Sequence, residues 1–326
     1  MLFRSLSPHE YESLVRGPFV GERLHGRSPL VLVEGGTAPL PGPGSVPVIV
    51  AVVGNGLGGP GPPMADLVVD VDHVDALVER VDRNPVAAAS LAVLLRTTET
   101  LPVDLGLAAE SAVYSMLQGG REFARWRADA GTTLDDDAPP VLVARTGDVV
   151  TVTLNRPHRH NAVTRGLRDE LCAALEIGLL DASVRELQLR GEGPSFCSGG
   201  DLDEFGARPD PAAAHLTRLA QSPARLIHAQ RDRVVAQVHG STLGGGIEMA
   251  AFAGRLVADP ATRIGLPEVD LGLIPGAGGT VSLTRRIGRQ RTAALALAVE
   301  TIDAATAHAW GLVDDVRPVS PTSSAD

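Results

Sequence analysis

The chain of 326 residues carries 29 basic and 39 acidic side chains, a formal net charge of −10. Apart from histidine the basic residues are all arginine, and no segment gathers them into a stripe, which excludes a polyanion-binding protein. With 44% hydrophobic residues and no apolar run near the roughly 18 residues of a membrane span, the composition fits a globular protein of about two domains.

Two cysteines, Cys172 and Cys197, make neither a disulfide framework nor a metal cluster, so a reducing compartment is expected, with a cytoplasmic location. The first residues are interrupted by polar groups and lack the apolar segment of a secretory signal. Neither membrane nor nucleic acid is an expected partner.

In chain order, Pro- and Gly-rich loops flank an apolar strand at 46–53, and a second strand-like piece covers 67–71. The pattern then turns helical, because Val74, Leu77, Val78 and Val81 recur at i, i+3, i+4 and i+7. Asn84-Pro85 ends that helix, since the residue before proline is driven out of the α region. Further helices are predicted at 86–98, 103–117 and 121–128, the last two separated by Gly119-Gly120. Asp135, Asp136, Asp137 and Pro139-Pro140 read as a linker. Strands then alternate with helices: strands at 149–154, 186–190, 234–238 and 255–258, helices at 164–178 and 245–253. That alternation predicts an α/β layered fold with a largely parallel sheet.

Gly54-Asn-Gly56-Leu-Gly58-Gly59 satisfies the dinucleotide pattern G-x-G-x-x-G after a strand. The pattern works only when a helix N-terminus follows to hold the pyrophosphate, and here Pro60-Gly-Pro62-Pro63 follows. The run therefore reads as a turn and not as a nicotinamide site. Two other glycine loops are more informative: Phe196-Cys-Ser-Gly199-Gly200-Asp201-Leu202, and Leu243-Gly244-Gly245-Gly246-Ile-Glu248. Each follows a strand, lets a ligand approach the backbone and leaves N–H groups free; the second also opens a helix. Converging, they would make an oxyanion site; apart, they are ordinary turns.

Four blocks, in order, resemble the signature of the crotonase (enoyl-CoA hydratase/isomerase) superfamily. They are Asn155-Arg-Pro-His-Arg-His-Asn161-Ala162, the two glycine loops, and Leu266-Pro-Glu268-Val-Asp-Leu-Gly-Leu-Ile-Pro-Gly-Ala-Gly-Gly-Thr280. Ala307-His-Ala-Trp-Gly311-Leu312-Val313 resembles a fifth block near the family's last strand. The resemblance implies an acyl-CoA thioester as substrate, no metal or redox cofactor, and an oxyanion hole made by the N–H groups of Gly200 and Gly245. Its two acids fall on Glu248 and Glu268. Two like charges in a partly dry pocket push one pKa upward, so one carboxylate can activate water at Cβ while the other, protonated, serves Cα. Glu248 is assigned to the water and Glu268 to the α-proton. Asn161, Ala162, Ser198, Asp201 and Leu202 are expected near the substrate, and Arg159 on the coenzyme A phosphates. His158 and His160 read as loop histidines, Asp270 as a solvent-facing acid, and Cys197 as lacking the base that a nucleophile needs.

The expected activity is that of an enoyl-CoA hydratase-like lyase, syn addition or elimination of water on a 2-enoyl-CoA thioester through an enolate. Alternatives within the resemblance are an enoyl-CoA isomerase, a specialised biosynthetic acyl-CoA enzyme, and an inactive assembly subunit. Homo-oligomers, trimers or hexamers, are implied as well. Members of the family continue beyond the fifth block into helices that close the acyl pocket, and residues 67–126 resemble that tail. The expected division is a 1–130 segment resembling a truncated, permuted second copy with a helical cap at about 73–127, a linker at 131–140, a catalytic core at 141–316 and a polar tail at 317–326. The expected fold is α/β, a crotonase-like ββα spiral with the cap supplied by the N-terminal region.

Overall fold

A computed structural model describes residues 5–6, 9–12, 28–34, 42–54, 56–127, 138–205 and 210–319. The linker expected at 131–140 lies mostly outside the described residues, as does the tail from 320.

Three sheets organise the described residues. A four-stranded parallel sheet joins β1 (Ser5–Leu6), β2 (Leu30–Glu34), β3 (Ile49–Val53) and β4 (Leu67–Val69) in that order. Its residues alternate between two cores. Leu30, Leu32, Ile49, Ala51, Leu67 and Val69 join the main core, while Val31, Val33, Val50, Val52 and Val68 pack with Tyr11 and Met64 on the other face. Period-two alternation with both faces covered is what a parallel sheet requires. After β3 the glycine run enters no helix; Gly54 N–H donates to Val69 O, and the chain turns through Pro60–Pro63 into β4.

Four helices follow: α1 (Val74–Arg83), α2 (Pro85–Thr98), α3 (Val103–Gln118) and α4 (Arg121–Arg127). Glu122 of α4 accepts from the N–H groups of Val86 and Ala87, at 2.9 Å each, and so caps α2. The second sheet has six strands in the order β13 (Asp315–Val316), β10 (Arg255–Ala258), β8 (Val234–Val238), β7 (Glu186–Gly191), β6 (Val149–Leu154) and β5 (Val141–Thr146). Only the β5–β6 pair is antiparallel. A third sheet aligns β12 (Ile302–Asp303), β11 (Arg263–Gly265) and β9 (Ser241–Leu243). Helices α5 (Arg165–Leu180), α6 (Pro211–Ala220), α7 (Pro223–Ala229), α8 (Gly245–Ala250), α9 (Gly279–Leu297) and α10 (Ala304–Trp310) complete the chain.

One hydrophobic core runs through both halves, from Leu77, Leu91 and Leu95 of α1 and α2 to Leu187, Leu256 and Leu295. Its hub is α9, which packs on α2, α3, α8 and β4. Polar ties fix the same seam. Asn84 Nδ2 donates to Val269 O at 2.7 Å, and Thr98 Oγ1 to Thr280 O at 2.8 Å. Asp270, expected to face solvent, instead accepts from Arg80 Nε at 3.0 and 3.1 Å and so anchors α1. Buried Asp66 receives Val50 N–H at 2.9 Å, Arg96 Nη2 at 2.6 Å and Arg289 Nη1 at 3.4 Å, tying β3, α2 and α9 together. Deleting that carboxylate leaves the Arg96 guanidinium with carbonyl acceptors alone and Arg289 with Glu99 as its acidic partner. Asp66→Ala is therefore expected to cost about 3–5 kcal/mol of stability, read as a fall in the urea midpoint.

Candidate active site

The two glycine loops meet. Phe196 N–H donates to His239 O, Leu243 N–H to Cys197 O, and Cys197 bridges Thr242, so the first loop is laced to the second. Val163 and Gly200 form a second bridge, which uses Asp201 N–H and leaves that of Gly200 free. Among the described residues no acceptor takes the N–H of Gly200 or of Gly245, the first residue of α8. A Cβ added to Gly245 would lie 3.9 Å from Gly200 N, so the two amides are neighbours. Both open on one cavity of about 440 Å³, whose wall also carries Glu248, Glu268 and the α3 residues Glu110 and Tyr114. The cap thus closes the cavity from the N-terminal side of the same chain.

Glu248 lies in the first turn of α8 and is buried. Its Oε2 accepts from Ala277 N–H at 2.7 Å and Gly279 N–H at 2.8 Å. The intervening amides go to a third acid: Glu110 Oε1 takes Gly278 N–H at 2.7 Å, and its Oε2 takes Thr280 N–H at 2.9 Å and Thr280 Oγ1 at 2.7 Å. Two carboxyls, one from the core and one from the cap, thereby share four successive N–H groups where α9 begins, the positive end of its dipole.

Glu268 has no such support. It stands in the 3₁₀ turn Glu268–Leu271 against Gly244, where a Cβ would fall 2.2 Å from its Oε1. Gly244 has φ 46° and ψ −126°, a conformation that only glycine holds without strain. Glu268 Oε2 is buried without a hydrogen-bond partner, and the charge of Glu248 acts on the Glu268 carboxyl.

Burial dominates the acid strengths. Glu110 is pushed up to about 8 by burial and then by the Glu248 charge. Glu248 is pushed up to about 7 by burial, with the loop N–H groups pulling it back down. Glu268 is raised well above the ordinary carboxylate range, through burial and then the charge of Glu248. Near neutral pH Glu248 can supply a carboxylate, while the surroundings of Glu268 favour its protonated form. The Cys197 thiol is pushed up to about 12 by burial and stays protonated.

Comparison with known proteins places this arrangement. The model of the enoyl-CoA hydratase/isomerase family matches residues 144–323, more than half of the chain. The chain belongs to that family. It is 38% identical over 178 residues to the 2,3-dehydroadipyl-CoA hydratase of Escherichia coli, covering 55% of this chain and 69% of that protein. It is 37% identical to the mevalonyl-coenzyme A hydratase of Beauveria bassiana, covering 52% of this chain and 64% of that protein. Among solved structures, the enoyl-CoA hydratase of Bacillus anthracis superposes with a TM-score of 0.51 at 32% identity, over 55% of this chain and 70% of that one. The crotonase fold read from the four blocks is thus the fold of this chain.

Within this crotonase the expected residues separate into two groups. Gly200, Asp201, Gly245, Glu248 and Glu268 line the cavity; Arg159, Asn161, Ala162, Ser198 and Leu202 are not among its lining residues. Asn161 is buried and braces the loop, accepting from Arg156 N–H at 2.7 Å and donating to Glu192 O at 2.9 Å and Ser195 O at 2.8 Å. Arg159 is exposed and bonds Asp203. Asp201 pairs with buried Arg156 at 3.0 Å and so sets the Gly200 turn. His160 Nδ1 meets Ser195 Oγ at 2.9 Å, outside the cavity. The cavity's cations are Arg165, Arg168, Arg218 and Arg225.

Sequence reasoning missed Glu110. The buried face of α3 is Val103, Gly106, Glu110, Ser111, Tyr114 and Leu117, so an acid on the apolar stripe was the readable signal. The same acids set a pH dependence of stability. Their folded values lie above the ordinary 4.5, so the stability they contribute is complete below about 4.5 and is lost as pH rises through about 7 for Glu248 and about 8 for Glu110. The urea midpoint is expected to fall between about pH 5 and about pH 9, and Glu110→Gln to flatten that fall.

Proposed function

We propose that the protein is an enoyl-CoA hydratase-like lyase, adding water to the double bond of a 2-enoyl-CoA thioester or removing it. One observation carries the reading: two unpaired N–H groups and a two-glutamate pair face the same cavity. The thioester oxygen accepts from the Gly200 and Gly245 amides, which are already in place and cost no reorganisation when charge develops there. Glu248 takes a proton from water as the water oxygen bonds to Cβ, and the electron pair of the double bond moves onto the thioester oxygen as an enolate. Glu268 then gives its proton to Cα, the enolate collapses, and the product is the 3-hydroxyacyl thioester. The spent pair holds its proton on Glu248 and its charge on Glu268, and transfer between the two carboxyls resets it. Both acids sit on one wall, so addition is syn. Dehydration runs the same steps backwards.

The relatives' names, both hydratases of coenzyme A thioesters, support this reaction class. A homo-oligomer whose protomers each hold such a site remains part of the proposal, as does the descent of residues 1–130 from a second copy.

Loss of crotonyl-CoA absorbance tests the reading. Glu248→Gln and Glu268→Gln are each expected to lower kcat by roughly 10²–10⁴-fold; an isomerase needs one acid only and would survive one of the two changes. Hydration rate is expected to fall below about pH 7 as Glu248 takes up a proton, and again at alkaline pH as Glu268 loses its own. A rate rising monotonically across that range contradicts the division of roles.

A further inference from the structure

Beyond the catalytic acids the cavity wall is largely apolar, and the Arg218 guanidinium stands on it. Helix α3 presents Ser111, Ser115 and Gln118 at i, i+4 and i+7, one stripe of its surface. Arg218 of α6 lies along that stripe. Its Nε donates to Ser111 Oγ at 3.0 Å, Nη1 to Gln118 Oε1 at 3.4 Å, and Nη2 to Ser111 O at 3.4 Å and to Ser115 Oγ. The guanidinium stacks on Tyr114, 4.7 Å from the ring centroid. Every one of these partners is neutral. Arg80, Arg96, Arg156 and Arg289, sunk between elements elsewhere, each meet an aspartate.

Four acids of the cavity wall are already engaged. Glu110 and Glu248 hold the Ala277–Thr280 amides, Asp201 holds Arg156, and Glu204 accepts from Arg165 N–H. Arg168 is paired with Asp169 at 2.6 Å. Arg218 therefore has no acidic hydrogen-bond or ion-pair partner among the described residues, although the Glu110 charge acts on it, and two of its four contacts are long. Burial holds its pKa below the ordinary arginine value, the mark of a cation short of solvent. A guanidinium recovers that desolvation best from a planar carboxylate.

Position gives the rest. Glu110, at the catalytic end, and Gln118 are eight residues apart on α3, roughly 12 Å along the axis at the helical rise. Arg218 touches the wall from Ser111, next to Glu110, to Gln118, so its guanidinium lies within that span and within reach of a short acyl chain held in the cavity.

We infer that Arg218 receives a carboxylate at the far end of the acyl group, so that the preferred substrates are short 2-enedioyl-CoA thioesters. This rests on the hydratase reading above. The neutral contacts to Ser111, Ser115 and Gln118 then act to hold the guanidinium edge towards the cavity.

The test compares 2-enedioyl-CoA thioesters of five and six carbons with their ω-methyl esters and with crotonyl-CoA on the full-length protein. A carboxylate hydrogen-bonded to one guanidinium predicts kcat/KM roughly 10- to 100-fold higher for diacid than for ester. Arg218→Met is expected to bring that ratio within a given chain length close to one, and Arg218→Lys to restore part of it. An equal or reversed ratio in the wild type, or a ratio that persists in Arg218→Met, overturns the inference. Turnover of crotonyl-CoA without diacid preference defeats this inference alone; turnover of no thioester defeats the hydratase reading. In that last case calorimetric binding of hexanedioyl-CoA against hexanoyl-CoA still decides: tighter binding of the diacid, lost in Arg218→Met, supports the anion site, and equal binding removes it.

Discussion

Four successive backbone amides at the start of α9 are divided between two buried carboxyls, and the geometry of the site follows from that division. Ala277 and Gly279 serve Glu248; Gly278 and Thr280 serve Glu110. Without these donors either acid would be a buried charge with nothing to replace its water, a cost of several kcal/mol. Because one acid belongs to the cap and the other to the core, seating the cap and shaping the catalytic loop are one event. The third acid, Glu268, receives no donor at its buried Oε2, and burial together with the Glu248 charge disfavours its ionised form. The assignment of base and acid thus comes from the surroundings of Glu248 and Glu268, burial first and then the loop N–H groups that pull Glu248 back down, and not from the residue type.

Small residues make the crowding possible. The Glu268 carboxyl occupies space that any side chain at Gly244 would claim, and Gly200 stands against the Phe205 ring, where a Cβ would fall 2.3 Å away. The amides of Gly200 and Gly245 stay free because the strand-like bridges on either side use their neighbours' groups. A core poor in aromatics suits this design, since Ala, Val and Leu let helices and loops approach closely while the cap keeps bulk water from the acids. In the proposed reaction, water enters as reactant next to a carboxylate held by two N–H groups.

Much of this was legible in the chain. Local periodicity placed α1 to α4 within a few residues, and the strands at 149–154, 234–238 and 255–258 match the structure. The proline run after Gly59 excluded a nucleotide turn, and no helix follows the glycines. Order and spacing of blocks gave Gly200, Gly245, Glu248 and Glu268. What stayed hidden depends on contacts between residues far apart in sequence. Glu110 meets Gly278 and Thr280 across some 170 positions, Asp270 meets Arg80 across 190, and no local pattern encodes either pairing. Asn161 and Asp201 were read as substrate contacts because they sit in the blocks; Asn161 braces its loop against Glu192 and Ser195, and Asp201, although on the cavity wall, is held by Arg156.

The account stands on two acids acting from one side of a thioester fixed by two amides. Hydration of crotonyl-CoA in D₂O reads that arrangement directly, because deuteron and hydroxyl leave a stereochemical record at Cα and Cβ. Proton NMR of the 3-hydroxybutyryl thioester is predicted to reveal a single diastereomer, with deuterium delivered to the face that received the hydroxyl. A mixture of diastereomers, or delivery to opposite faces, would contradict it.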